Sequence, residues 1–116
     1  MSTKRKTFVI AVQTTNATPA LSSIYTPAIG AAVYLEVSII ANAAGVNFAK
    51  YNRTMLAQND SGTAIEQLST VGTDYETTAG LDGTLVLVGD VVTAQVTGLA
   101  ATTIDWIITG WYITVP

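Results

Sequence analysis

From Ala31 to Ala41 the side chains split cleanly by parity, with Val33, Leu35, Val37 and Ile39 on one side and Tyr34, Glu36 and Ser38 on the other. A period of two belongs to a strand with one buried face, because successive side chains of a pleated chain point in opposite directions. The same habit recurs in Thr7 to Thr14, where Phe8, Ile10 and Val12 alternate with Val9, Ala11 and Gln13. Helical spacing is never sustained. Further strands are expected at Leu21 to Thr26, Val46 to Ala57, Ala64 to Gly72, Tyr75 to Thr78 and Thr84 to Val88. Turn chemistry separates them: Thr15-Asn16-Ala17-Thr18-Pro19, Pro27 with Gly30, Asn42-Ala43-Ala44-Gly45, Gln58-Asn59-Asp60-Ser61-Gly62 and Gly80-Leu81-Asp82-Gly83. Pro cannot donate to a ladder, and Asn and Gly tolerate positive φ. Strands broken by turns every 8 to 12 residues or so predict an all-β, single-domain antiparallel β-sandwich or jelly roll of about eight strands.

The C-terminal stretch is the most demanding part of this pattern. Val91 to Gly98 alternates Val92, Ala94 and Val96 against Thr93, Gln95 and Thr97, and Thr102 to Val115 follows after a turn. The two segments read as a hairpin. Its second arm is apolar on both parities, with Ile104, Trp106 and Ile108 on one side and Ile107, Trp111 and Ile113 on the other, allowing for a twist or bulge at Gly110. Such a strand wants cover on two sides, one of them the core and the other a second subunit or layer. Trp106 is the core candidate and Trp111 the interface candidate.

Composition sharpens this and removes much chemistry. At 116 residues the chain is long enough for one core without staples. It has no Cys and no His, so thiolates, the commonest general base near neutral pH and the usual ligands of zinc, copper and haem are all missing. Only 11% of its residues are charged, against about 25% in an ordinary domain, while 49% are hydrophobic. No apolar run reaches the roughly 18 to 20 residues of a membrane helix. The apolar excess therefore points to protein contacts and a homo-oligomer, most simply a trimer, and not to a membrane. A net charge of -3 with no second basic patch argues against nucleic acid.

Candidate residues are few. Lys4, Arg5 and Lys6 hold three of the five basic residues and define an N-terminal arm over residues 1–6, ahead of a sandwich over 7–116; the arm is either solvated or laid on an acidic neighbour. No apolar signal-peptide core follows it. Lys50 and Arg53 are the remaining basic residues, with Tyr51 between them, and are expected at the surface or a subunit contact, paired with carboxylates. Asp105 lies between Ile104 and Trp106 and either faces outward or pairs with a cation of a neighbouring strand or subunit. Ile113 joins Trp111 as an interface candidate. Asp60, Asp82 and Asp90 sit in or near Gly-containing turns, where Asp partners the backbone. Asp74 and Glu76 share a parity, but calcium-loop spacing is absent. No catalytic, metal or cofactor-binding residue is assigned.

Three segments carry a resemblance. Gln13-Thr14-Thr15-Asn16-Ala17-Thr18-Pro19 leading into a strand, Val46 to Leu56 with its Lys-Tyr-Asn-Arg run, and Val96-Thr97-Gly98-Leu99-Ala100-Ala101-Thr102-Thr103-Ile104-Asp105-Trp106 together resemble a small β-rich module of tailed-bacteriophage virion proteins. That module opens on a pattern like Q-T-T-D-A-T-P and closes on one like V-T-G-x-A-x-T-T-I-x-W. It occurs in tail-fibre and baseplate-associated proteins, usually inside longer chains. Taken as a free-standing polypeptide, the resemblance implies a non-enzymatic structural virion protein. The form expected is a capsid decoration, or cement, protein, generally a trimer, bound to the major capsid protein on the outer shell. The alternative it implies is a tail-associated module that binds host glycan, with Tyr34, Tyr51 or Trp111 stacking on sugar rings. The resemblance brings no catalytic residues with it.

Overall fold

The computed structural model describes residues 4–62, 64–72 and 74–116, with the side chains of 65–68 outside that set. The first three residues of the expected arm also lie outside it. Among the described residues there are nine strands: β1 (Lys6–Thr14), β2 (Ala20–Tyr25), β3 (Ala32–Ala43), β4 (Asn47–Asn59), β5 (Ala64–Val71), β6 (Tyr75–Glu76), β7 (Asp82–Val88), β8 (Val91–Thr97) and β9 (Ile104–Val115). They form two antiparallel sheets. The larger runs β1-β9-β3-β4-β5 with β6 also paired to β4, and the smaller runs β2-β8-β7. The all-β sandwich expected from alternation is the fold, with six strands facing three. Lys6, assigned to the arm, is the first residue of β1 and lies opposite Tyr112.

Parity decides what is inside. Val33, Leu35, Val37, Ile39 and Ala41 of β3, Tyr51, Met55 and Ala57 of β4, and Ile104, Trp106 and Ile108 of β9 pack onto Leu85, Val92, Ala94 and Val96 of the smaller sheet. Burying one aliphatic side chain of this size contributes about 1.5 to 3 kcal/mol, so the core rests chiefly on this layer. Trp106 is wholly buried, and its indole Nε1 donates to Thr14 Oγ1 at 2.9 Å.

The expected C-terminal hairpin is not formed. β8 sits between β2 and β7 in the smaller sheet, whereas β9 sits between β1 and β3 in the larger one. Residues 98–103 therefore cross from one sheet to the other. The hairpin partner of β8 is β7, closed by Gly89-Asp90 with Val88 opposite Val91. Alternation could not reveal this, because a buried strand looks alike whichever sheet accepts it.

Nor is there a bulge at Gly110. The β3–β9 register runs unbroken from Ala32 opposite Val115 to Asn42 opposite Asp105. Gly110 is there for space: a Cβ on it would strike the Glu36 carbonyl oxygen and come within 2.9 Å of the Val37 Cα. The β3–β4 turn shifts from expectation as well. Asn42 and Ala43 stay in β3, and Ala44 and Gly45 take the positive φ angles, 51° and 75°. Asn42 contributes by accepting the Gly45 N–H on Oδ1 at 3.1 Å.

Candidate functional site

The smaller sheet covers one face of the larger, and the other face is open. Strand register sets out that open face in rows. Trp111 lies between Thr7 and Glu36, and the row continues through Thr54 to Thr70. The adjacent row runs Val9, Thr109, Ser38, Asn52, and the one after it Ala11, Ile107, Ile40, Lys50. In the middle is an open groove of about 340 Å³, bounded by Trp111, Glu36, Ser38, Asn52, Thr54 and Thr70.

Trp111 forms the aromatic wall. The Tyr34 ring meets it edge-on at 5.6 Å between centroids, and the Arg5 guanidinium lies 4.1 Å over it. A cation over an indole face is held by the ring quadrupole, contributing about 0.5 to 1 kcal/mol when exposed. Partial desolvation and then the neighbouring Glu36 carboxylate push the Tyr34 hydroxyl above its ordinary range. Ser38 Oγ donates to Asn52 Oδ1 at 3.2 Å. The groove thus combines an aromatic wall with hydroxyls, an amide and one carboxylate.

The other candidates separate according to parity. Lys50, Tyr51 and Arg53 cannot make one patch, because Lys50 is exposed on the open face while Tyr51 and Arg53 point inward. Tyr51 is buried, against the expectation that it is free to stack on a sugar, and its hydroxyl donates to Glu76 Oε2 at 2.6 Å. Burial first, and the Glu76 hydrogen bond second, push this phenol far above its ordinary range. Arg53 is buried too, correcting its expected surface position. It does pair with a carboxylate, donating from Nη1 and Nη2 to the two Asp74 oxygens at 2.6 and 2.9 Å. Nη1 also reaches the Asn52 carbonyl, while Nε has no hydrogen-bond partner among the described residues. The Arg53 hydrogen bonds hold the Asp74 carboxyl below the usual carboxylate range. Asp74 and Glu76 are thereby tied to protein cations and hydroxyls.

Asp105 is exposed and accepts from Gln13 Nε2 at 2.9 Å. Ile113 is half-buried on the open face beside Tyr34. Lys4, Arg5 and Lys6 line a second hollow of about 500 Å³ with Tyr112, Thr114 and Pro116, at the end of the sandwich. Sequence reasoning missed Glu36, Ser38, Asn52, Thr54 and Thr70 as a group. Their common parity within β3 and within β4 was visible, but the register that sets them side by side was not.

No protein-family model and no curated protein sequence matches the chain. Two solved structures align with it over most of its length. The tailspike protein gp49 of Acinetobacter baumannii bacteriophage Fri1, a capsular polysaccharide depolymerase, aligns at 12% identity and a TM-score of 0.47, over 92% of this chain and 17% of its own. The tailspike protein of Acinetobacter phage vB_ApiP_P1 aligns at 19% identity and a TM-score of 0.41, over 96% of this chain and 22% of its own. The chain spans less than a quarter of the length of either.

Proposed function

We propose that this chain is a structural module of a tailed-bacteriophage virion, carried on the tail, that holds a host-surface saccharide in the groove beside Trp111. The observation that carries the saccharide reading is the groove itself. A sugar ring has an apolar face of C–H groups and a rim of hydroxyls, and it needs an aromatic wall plus groups that both donate and accept. Trp111 offers the wall, and Ser38, Thr54, Thr70, Asn52 and Glu36 offer the rim contacts. Arg5 over the indole adds a donor for an acidic sugar.

The virion setting rests on the Gln13 to Pro19 and Val96 to Trp106 segments, which resemble modules of tail-fibre and baseplate-associated proteins. A decoration protein clamping capsid subunits needs a broad matched surface and has no use for a polar hollow, so the tail reading is preferred. No chemistry on the sugar is proposed. Of the described residues lining the groove, Glu36 alone is a carboxylate, and glycoside hydrolysis ordinarily uses two.

A glycan array of bacterial surface oligosaccharides, followed by fluorescence titration, tests the binding. Sub-millimolar affinity is expected for at least one of them, falling roughly tenfold or more in Trp111→Ala. Unchanged affinity in that variant, or no binding across the array, overturns it. Immunogold labelling of virions tests the location, and label on the capsid shell would return the protein to a decoration role.

A further inference from the structure

β1 is an edge strand of the larger sheet, paired only to β9 among the described residues. Its nine residues keep an unbroken register from Lys6 opposite Tyr112 to Thr14 opposite Ile104. An edge like this exposes a row of N–H and C=O groups ready for another strand, and proteins usually blunt it with a bulge, a proline, a glycine or a charge. Two other edges show such devices. β2 carries a register shift between Ser23 and Tyr25, and β5 lies across one between Leu56 and Ala57 of its partner β4. From Thr7 to Thr14, β1 has none: it reads Thr-Phe-Val-Ile-Ala-Val-Gln-Thr, with Val9 70% exposed.

We infer that β1 is the site of a two-fold, antiparallel pairing with a second copy of this chain, joining the two large sheets into one continuous sheet. The occupant follows from self-complementarity. With the axis at Ile10, Val9 faces Ala11 of the second copy, Phe8 faces Val12, Thr7 faces Gln13 and Lys6 faces Thr14. Opposed residues in antiparallel strands share a face. Phe8, Ile10 and Val12, which point inward yet are only half-buried, thereby meet the same row of the second copy and complete their cover. No like charges oppose each other. The basic residues Lys4 to Lys6 of each copy come to the end of the other sheet where Asp105 is exposed, so the charges at the two ends are complementary.

This pairing replaces the expected trimer with a dimer, and it stands independently of the saccharide reading. Val9 and Ala11 are both exposed, so substitutions there spare the fold. Sedimentation at micromolar concentration is expected to show a dimer for the wild type. Val9→Lys/Ala11→Lys opposes like charges across the axis and should raise the dissociation constant roughly a hundredfold. Val9→Lys/Ala11→Glu opposes unlike charges at the same positions and should restore the dimer. Unchanged circular dichroism in both variants shows that the domain is intact. A wild-type monomer, a trimer, or a dimer indifferent to the Lys/Lys pair overturns the inference, whatever the glycan array shows.

Discussion

At the scale of single residues, the two tryptophans of β9 have opposite fates five positions apart. Trp106 is enclosed and hydrogen-bonded to Thr14, whereas Trp111 stands half-buried on the open face between Tyr34 and Arg5. Trp106→Ala should therefore cost about 3 to 5 kcal/mol, a large share of a small domain's stability, and unfold most of the population in chemical denaturation. Thr14→Val should cost about 1 to 3 kcal/mol, because it strands the buried indole N–H without a partner. Trp111→Ala should leave the circular-dichroism spectrum and the denaturation midpoint nearly unchanged. Equal losses at both tryptophans would show that the open face is as tightly covered as the core. Asn59 is another residue whose weight was not visible from its neighbours. Its side chain donates to the Pro27 carbonyl at 2.9 Å and accepts the Gly62 N–H at 2.8 Å, so one buried amide holds two loops.

At the scale of elements, the short strand β6 is fastened to β4 mainly by polar groups. Asp74 receives the Arg53 guanidinium, Glu76 receives the Tyr51 hydroxyl, and Thr78 Oγ1 donates to Asn47 at 2.6 Å. Asp74 is one-third exposed in its side chain, while Arg53 is buried. Its depressed pKa means that the folded protein binds fewer protons than the unfolded chain over the window between the two values. The contribution is present above the ordinary aspartate pKa of about 3.9 and is lost as pH falls through the lower, folded value. The protection factors of the β6 amides, taken relative to the intrinsic exchange rate at each pH, should fall on acidification through that window, ahead of those of β3 and β9. Asp74→Asn should abolish this pH dependence and destabilise the protein at neutral pH by about 2 kcal/mol, since it leaves a buried guanidinium without its counter-charge. β6 protection factors that do not change on acidification through that window would remove the ion pair from the account.

At the scale of the whole molecule, the fold closes through distant parts of the chain. Thr14 and Trp106 are 92 positions apart, and β9 lies between β1 from the start of the chain and β3 from its middle. Loop-closure entropy must be overcome before such contacts contribute, so folding should be slow for this size, in milliseconds to seconds. Stopped-flow refolding followed by tryptophan fluorescence should give one phase in that range, and a microsecond phase carrying the full amplitude would contradict it. The molecule measures 45 × 24 × 21 Å, and its long axis follows the strands β3, β4 and β9, whose 12, 13 and 12 residues span about 40 Å at about 3.3 Å each.

Alternation in Ala31 to Ala41 and in Thr7 to Thr14 was enough to establish strands, their inward residues and an all-β sandwich, because a period of two is a local property of the pleated backbone. Trp106 was legible as core for the same reason, from its parity with Ile104 and Ile108. Local pattern carries no information about which strand lies beside which. Val91 to Thr97 and Ile104 to Val115 therefore looked like a hairpin, yet they belong to different sheets. Lys50, Tyr51 and Arg53 looked like a cluster, although alternation sends Lys50 to one face and the other two to the opposite one. The groove depended most on tertiary structure. Glu36 and Ser38 meet Asn52 and Thr54 through the β3–β4 register, Thr70 joins them through β5, and Trp111 arrives from the far end of the chain. Sequence determines which way each side chain points; only the packing of the sheets decides what it meets there.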